Sequence, residues 1–312
     1  MKISVIIPVY NAEKYLTTAV ESALQFEEVS EVILVEDKSP DNALAVCKTL
    51  EEKHAKIKLF QHPDKGNHGA GASRNLGMKA ASGDCIAFLD ADDFYLPNRF
   101  DAERELFKNP NVDGVYGAIG VHYWSQKAKE QYHGVYGEKL TTVYREHPPE
   151  NVFPGLIGMC GSFGLFSIDA LTIRKSALEK MDDLMKTELK LHQDTDFVMR
   201  LAFYTRLYPG ILNEAVAVRG VHESNRISQL DSGKIKPAAT RVLLWNHLKT
   251  WARNEPQMPA AELLHITRLH RSWEIAHAPV LKKWSLIIKF LFKDFRSIRS
   301  GLYNINFRKE LS

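Results

Sequence analysis

Polar and aromatic side chains that could take part in chemistry follow three apolar segments in the first third of this 312-residue sequence. Pro8 and Tyr10 close the first segment. Asp37 follows the second, and Asp90 and Asp92 follow the third. An aromatic ring can stack on a nucleobase, carboxylates can accept hydrogen bonds from a base or a ribose, and clustered carboxylates bind a hard divalent cation that also contacts substrate phosphates. These residue types predict a pocket for a nucleotide diphosphate and a divalent metal.

A regular alternation of strand and helix patterns predicts the elements that would position these side chains. Continuous apolar runs rich in β-branched residues are typical of strands buried on both faces of a parallel sheet. Segments with apolar residues at helical spacing separate them, which predicts repeated βαβ units. Ligands of such sheets bind beyond the carboxyl ends of the strands. We therefore predict an α/β fold with helices on both faces of a mostly parallel sheet, whose strands include residues 3–9, 32–35, 57–60 and 85–89.

The composition, with 45% hydrophobic and 25% charged residues, is that of an ordinary globular protein. It excludes a wholly disordered chain, a collagen-like repeat and a polytopic membrane protein, because no apolar stretch approaches the roughly 20 residues that span a bilayer. The three cysteines form no CxxC pair and predict neither a disulfide framework nor a zinc site. Since the N-terminal segment also lacks the features of a secretory signal, we expect a cytoplasmic location.

Charge is unevenly distributed and suggests two parts. Residues 231–312 hold 15 Lys and Arg against 6 Asp and Glu, a net charge of +9, whereas residues 1–230 carry 26 against 32, a net charge of −6. Strand patterns also end near residue 235, after which apolar residues recur at helical spacing. We predict a catalytic domain over 1–230 and a basic helical extension over 231–312.

Three segments of the first domain resemble a known enzyme family. They read SVIIPVYNAEKYL from residue 4, VEDKSPDN from residue 35 and GNHGAGASRNLGMKAASGDCIAFLDADD from residue 66. In this order they resemble the inverting glycosyltransferases of family 2, which have the GT-A fold. A weaker resemblance extends to about residue 228. The resemblance implies a GT-A catalytic domain.

The resemblance also implies roles for the donor-side residues. Pro8 and Tyr10 would line the base pocket, with Tyr10 stacking on the base, and Asp37 would accept a hydrogen bond from the base. Arg74 would lie near the diphosphate, where its guanidinium matches phosphate geometry. Asp90 would contact the ribose or a metal-bound water.

Three further residues carry the implied metal site and catalytic base. Asp92, the second aspartate of the Asp-x-Asp pair, would bind the metal. Asp194 matches the family's general base, although the preceding Gln193 replaces the usual Glu, and Asp196 is a fallback. His222 would approach the metal or the diphosphate, although it stands one residue further from Arg219 than is usual.

These matches imply a metal-dependent inverting glycosyltransferase that uses Mn²⁺ or Mg²⁺ and a nucleotide-sugar donor, with a UDP-sugar as the first choice. The acceptor would be a glycan or a lipid-linked glycan, and no nucleic-acid partner is expected. The Gln-x-x-Arg-Trp motif of processive synthases is missing from the sequence, which favours transfer of a single sugar. A GxGxxG loop after the first strand is missing too, which argues against a Rossmann dehydrogenase, and Pro8-Val9-Tyr10-Asn11 does not resemble a pyrophosphorylase loop. A non-catalytic nucleotide-sugar-binding subunit remains an alternative.

The segment 281–299 predicts an amphipathic helix with lysines opposite an apolar stripe. Such a helix is typical of a segment packed on the catalytic domain or on a partner, and an apolar helical tail also makes a homodimer plausible. It equally suits peripheral contact with an anionic membrane at the inner face of the cell membrane. The sequence leaves these uses open.

Overall fold

The computed structural model describes residues 1–143, 145–161, 163–223, 225 and 237–294. These residues belong to two compact units, Met1–Glu223 and Ser224–Ser312. The predicted domain boundary at residues 230 and 231 lies outside the described residues.

The strands of the first unit form two sheets. In chain order, its described strands are β1 (Ile3–Val9), β2 (Val29–Glu36), β3 (Ile57–Gln61), β4 (Cys85–Phe88), β5 (Phe94–Tyr95), β6 (Gly114–Tyr116), β7 (Ala118–Tyr123), β8 (Leu171–Arg174), β9 (Leu207–Pro209) and β10 (Ala215–Val221). The larger sheet has the order β3-β2-β1-β4-β8-β6-β9, and the smaller has the order β5-β10-β7. The prediction of a mostly parallel sheet is confirmed, because β3, β2, β1 and β4 are all parallel. β8 is the antiparallel strand, opposed to both β4 and β6.

Helices cover the central strand from both sides. The helices of this unit are α1 (Leu16–Leu24), α2 (Ala43–Lys53), α3 (Ala70–Ala80), α4 (Asp101–Leu106), α5 (Gln126–Tyr136), α6 (Val152–Leu156), α7 (Lys175–Leu178) and α8 (Gln193–Tyr204). Val5 and Ile7 of β1 share a buried cluster with residues of α1 and α2. Ile6 points the other way, and a Cβ on Gly77 of α3 would lie 2.4 Å from its Cγ2. Because both faces of β1 are buried, its sequence is continuously apolar rather than alternating.

The described part of the second unit is helical. It contains α9 (Pro237–Asn254), α10 (Ala260–His277) and α11 (Val280–Lys293). Leu244, Leu248 and Ile266 are among its fully buried residues. Within the described ranges, no helix combines the length and apolarity needed to cross a membrane. The helical extension is thus present, while residues 295–299 of the predicted amphipathic segment lie outside the described residues.

Glu31, a buried carboxylate of β2, forms hydrogen bonds that join β2 to its neighbouring strands β1 and β3. Burial alone would raise the pKa of Glu31, but hydrogen bonds from Lys58, Ser4 and Ser82 lower it to about 2. Since the folded pKa lies below the ordinary 4.5, the resulting stability is present above pH 4.5 and is lost as pH falls toward 2.

We expect Glu31→Gln to lower the free energy of unfolding at pH 7 by about 1–3 kcal/mol, because the amide cannot replace a charge-assisted acceptor. The difference from the parent should shrink below pH 4. Urea denaturation across this pH range measures it, with the exposed Glu27→Gln as the control. An equal loss of stability at pH 7 and at pH 3 would contradict the assignment.

Candidate active site

The loops after β1 and β2 meet at one edge of the large sheet. The Asp37 backbone N–H donates to the Val9 carbonyl oxygen at 2.9 Å, and the Asn11 N–H donates to Ser39 Oγ at 3.3 Å. Tyr10, which the sequence predicts to stack on a base, is 51% exposed at this edge, and Pro8 is partly buried. The ring of Tyr10 is therefore available to a ligand.

Asp37 lies at the same edge but is only 2% exposed. Its two carboxylate oxygens accept the backbone N–H groups of His68 and Gly69, each at 2.7 Å. Gly69 has a φ of +85°, which favours glycine, and it precedes the first residue of α3. Asp37 thus holds the loop that starts α3, and its contact with a base remains a prediction.

Arg74 extends from the start of α3 to the segment after β4. Its guanidinium donates to an oxygen of Asp90 and is itself almost fully buried. Burial would lower the pKa of Arg74, but the carboxylates of Asp90, Asp194 and Asp169 raise it. Its Nε has no hydrogen-bond partner in the described residues. The structure thus brings Arg74 and Asp90 together, and their contact with a nucleotide remains a prediction.

A pair of buried aspartates lies behind Asp90. Asp93 and Asp169 are hydrogen-bonded to each other. Burial, with the neighbouring carboxylates, raises the pKa of Asp93 well above its ordinary value and that of Asp169 to about 6. Both carboxyl groups are therefore harder to ionise than an ordinary aspartate. Asp169 Oδ1 accepts the Asp90 N–H at 3.0 Å, which fixes the Asp-x-Asp backbone.

Asp92 and His222, the two residues proposed from sequence to bind metal, lie side by side. His222 Nε2 is 3.0 Å from Asp92 Oδ2. The Asp92 side chain is 30% exposed. His222 follows β10, a strand of the small sheet, whereas Asp92 follows β4 of the large one. The two sheets therefore meet at this point.

Aromatic side chains fix the orientation of the His222 ring. Tyr15 stacks on it with ring centroids 4.6 Å apart and an interplanar angle of 22°. Trp124 packs against Tyr15, with 4.9 Å between the two ring centroids. Trp124 Nε1 also donates to the Asp92 carbonyl oxygen at 3.0 Å. A ring held in this way presents its Nε2 to Asp92 with little freedom to turn.

Gly220 allows this approach of the two sheets. A Cβ at this position would lie 1.9 Å from the Asp92 carbonyl oxygen and 2.2 Å from Trp124 Nε1. The Gly220 N–H donates to Asp93 Oδ1 at 2.8 Å. Gly220, one of the two residues between Arg219 and His222, therefore lies in a contact too close for any side chain.

We expect Gly220→Ala to lower the free energy of unfolding by about 1–3 kcal/mol, because backbone atoms must move to admit the methyl group. The substitution should also displace His222 and weaken Mn²⁺ binding. Gly134→Ala is the matched control, since Gly134 lies in helix α5 with nothing within 4 Å of an added Cβ. Chemical denaturation of both variants measures the contrast, and equal stabilities would contradict the packing argument.

The start of α8 presents Asp194, the predicted base. Gln193 Oε1 accepts the Gly71 N–H at 3.0 Å and so joins the first turns of α8 and α3. A carbonyl oxygen at this position suffices, which explains how Gln can replace the family's Glu. Asp194 is exposed in the first turn of α8, where the helix dipole favours a carboxylate. It is close enough to raise the pKa of Arg74.

Asp196, the fallback base, has a structural contact instead. It is fully buried and accepts Nε and Nη2 of Arg200 at 2.8 and 2.7 Å. Arg200 in turn donates to the carbonyl oxygens of Asp183 and Leu184. Asp196 therefore orients a loop beside α8, which leaves Asp194 as the accessible carboxylate.

Two arrangements of side chains could hold a divalent cation. Asp90, Asp93 and Asp169 each offer an oxygen within 4.8 Å of the others, but the last two are buried and their pKa values are raised. Asp92 with His222 offers one carboxylate oxygen and one imidazole nitrogen, both of which are ligand types for divalent metal ions. Sequence reasoning missed Asp169, because a lone aspartate before a short strand carries no spacing signal.

Comparison with known proteins agrees with this geometry. The model of glycosyl transferase family 2 matches residues 4–173, more than half of the chain. The Bacillus subtilis minor teichoic acid biosynthesis protein GgaB is 40% identical over 300 residues, which is 92% of this chain and 29% of GgaB. The chain spans between 21% and 66% of the length of eight curated relatives that it matches.

Solved structures share the fold. Staphylococcus aureus TarS 1–349 in complex with UDP-GlcNAc has a TM-score of 0.64 at 19% identity, covering 95% of this chain and 81% of TarS 1–349. The Pyrobaculum calidifontis mannosyltransferase PcManGT, in complex with GDP-Man and Mn²⁺, has a TM-score of 0.54 at 14% identity, covering 98% and 84%. At these identities the likeness establishes the GT-A fold. Because the family model spans more than half of the sequence, the chain belongs to glycosyl transferase family 2.

Proposed function

We propose that this chain is a metal-dependent, inverting, non-processive glycosyltransferase. It transfers one sugar from a nucleotide-diphospho-sugar to a hydroxyl of a glycan or lipid-linked glycan. The observation that carries the proposal is the 3.0 Å contact between Asp92 and His222 beside the Arg74–Asp90 pair. Anion-binding and cation-binding groups thus alternate at one sheet edge, as a diphosphate with its metal requires.

The donor site is built from the loops that follow β1, β2 and β4. The exposed Tyr10 ring stacks on the base, and Pro8 lines the pocket beside it. Each carboxylate oxygen of Asp37 already accepts one backbone N–H, and its remaining lone pair accepts a hydrogen bond from the base. Asp90 contacts the ribose, and Arg74 contacts a phosphate through the nitrogen that has no described partner. We assign UDP-sugar as the donor class, since UDP and UDP-GlcNAc are the ligands named for TarS.

Asp92 and His222 fit a bound Mn²⁺ or Mg²⁺. Mixed oxygen and nitrogen ligands suit Mn²⁺ better than Mg²⁺, and Mn²⁺ is the ion named for PcManGT. When bound, the ion supplies Lewis-acid stabilisation of the negative charge that develops on the leaving diphosphate. Tyr15 and Trp124 keep His222 in place for this role.

Asp194 acts as the general base. Its carboxylate accepts the proton of the acceptor hydroxyl while the acceptor oxygen forms a bond to the anomeric carbon. The bond from that carbon to the phosphate oxygen breaks, and the nucleotide diphosphate leaves. A single in-line displacement inverts the anomeric configuration, and it needs no carboxylate nucleophile.

Nucleotide release tests the proposal against the non-catalytic alternative. UDP-GlcNAc and other UDP-sugars are incubated with the purified chain and Mn²⁺ without a sugar acceptor, so that water accepts the sugar. We expect slow release of UDP that stops when EDTA is added. A chain that binds UDP with Mn²⁺ but releases none from any donor would instead favour a nucleotide-sugar-binding subunit.

Helix α11 supports a second, peripheral contact. Trp284, Ile288 and Phe292 are spaced by four residues and are 61%, 52% and 89% exposed. Lysines accompany this apolar stripe, an arrangement that favours an anionic membrane surface at the cytoplasmic face. Co-sedimentation with vesicles tests it, since Trp284→Ser with Phe292→Ser should abolish binding. Sedimentation equilibrium of the same variant tests the alternative that the stripe forms a homodimer.

A further inference from the structure

Basic side chains line a cleft within the second unit. The cleft has a volume of about 140 Å³, roughly the space of five water molecules. Its walls come from all three helices of the described unit, and its lining residues include Lys249, Arg253, Arg271, Lys289 and Lys293. Glu274 is the carboxylate in this lining. Five cations thus face one anion in a space of molecular size.

Most cations of the cleft have no ion-pair partner among the described residues. In the described part of the chain, Arg253, Lys289 and Lys293 form no ion pair. Arg271 lies 3.7 Å from Asp294 Oδ2, but Arg268 already binds both oxygens of that carboxylate at 2.8 and 3.1 Å. Arg271 Nη1 is buried and has no hydrogen-bond partner among the described residues. Its donor capacity is therefore unused.

The neighbouring titratable groups respond to this accumulation of positive charge. Burial, together with Lys249, Arg253 and Arg271, lowers the pKa of His270 to about 4, so this ring is neutral at pH 7. Its Nδ1 lies 2.9 Å from Lys249 Nζ and accepts a hydrogen bond from it. Burial also lowers the pKa of Lys249, and Arg253 and Arg271 add to that effect although Glu274 opposes it. The like charges therefore destabilise one another.

We propose that this cleft binds a phosphate group. A monovalent carboxylate would leave most of the charge uncompensated, whereas a phosphate carries up to two negative charges and several acceptor oxygens. Arg253 and Arg271 supply planar donor pairs that match its geometry, and the lysines supply further charge. Phe290, over which Arg271 and Lys289 lie at 5.4 and 5.9 Å from the ring centroid, forms an apolar wall on one side.

The site is separate in sequence from the proposed donor site, so the two can be tested independently. The phosphate can belong to a free anion or to the headgroup of an anionic phospholipid. Calorimetry with inorganic phosphate in EDTA probes the first source. Co-sedimentation with phosphatidylglycerol vesicles, compared with phosphatidylcholine vesicles, probes the second.

Arg253→Gln and Lys293→Gln are the informative variants, because both side chains are exposed and their replacement does not disturb packing. We expect each to weaken binding of at least one probe about tenfold, the effect of removing one charge-assisted contact. Lys282→Gln, an exposed lysine of α11 that does not line the cleft, is the matched control and should bind normally. The thermal midpoint without ligand should stay equal or rise, since a repulsive charge is removed.

The pattern of losses identifies the source. Loss of inorganic phosphate binding alone assigns a free anion, and loss of phosphatidylglycerol binding assigns a lipid headgroup. Binding of both probes that is unchanged in Arg253→Gln and Lys293→Gln would overturn the proposal. Phosphate binding that is instead abolished by Arg74→Gln would also overturn it, because the anion would then occupy the donor site.

Discussion

Asp194→Asn should lower the rate of sugar transfer by about 10²–10⁴-fold, the range that a positioned general base contributes. The amide has the same shape but cannot accept the proton of the acceptor hydroxyl. The Asp194 side chain is exposed and accepts a local hydrogen bond from the Thr195 N–H at 2.8 Å, so the fold should not change. Binding of UDP with Mn²⁺ should remain within about threefold of the parent, because the donor contacts lie elsewhere.

Steady-state rates and calorimetry on the same preparation measure both effects. Asp182→Asn is the matched control, an exposed aspartate on a loop of the same unit, and it should retain parental rates. Asp196→Asn offers a contrast of another kind. It leaves Arg200 buried without its carboxylate and should reduce stability by about 3–5 kcal/mol. Substantial transfer by Asp194→Asn would contradict the assignment of the base.

Asp92→Asn should abolish the part of donor binding that depends on metal. An amide oxygen is a weaker ligand than a carboxylate, and the loss of one ligand from a small site should weaken Mn²⁺ by at least about 100-fold. Affinity for UDP in EDTA should be unchanged, because Tyr10 and Arg74 do not depend on the Asp92 charge. The expected signature is therefore a variant whose UDP affinity is the same with and without Mn²⁺.

His222→Gln separates the two ligands of this proposed site. It should show a smaller loss of Mn²⁺ affinity than Asp92→Asn, since a neutral ligand is removed. Titration of Mn²⁺ against each variant, with Asp182→Asn as the control, provides the comparison. If both variants bound Mn²⁺ with the parental affinity, the assignment of the ion to Asp92 and His222 would be wrong, and Asp90, Asp93 and Asp169 would be the ligands to test next.

Much of the fold is predictable from local patterns. The strands β1, β2 and β4 are buried on both faces, and their apolar runs show this directly. The smaller sheet is harder to predict, since β5 has two residues and β10 pairs with strands distant in sequence. Its packing against the site depends on Gly220, whose role follows from the atoms around it rather than from any spacing in the chain.

The candidate site shows the same division. Family motifs bring Arg74, Asp90, Asp92 and His222 to attention, and the structure places them in contacting pairs. Motifs do not reveal that Asp37 holds the loop before α3 with both carboxylate oxygens. They also give no sign of the contact between Asp93 and Asp169, because it depends on burial and joins segments that are far apart in the sequence.

Calorimetric titration with UDP, GDP and dTDP, each with Mn²⁺ and with EDTA, tests the central claim most directly. The account predicts that UDP binds in Mn²⁺ and that its affinity collapses in EDTA, while the other nucleotides bind more weakly. That result would establish a metal-bridged nucleotide site and define the donor class. A folded chain that binds none of the three in Mn²⁺ would contradict the account.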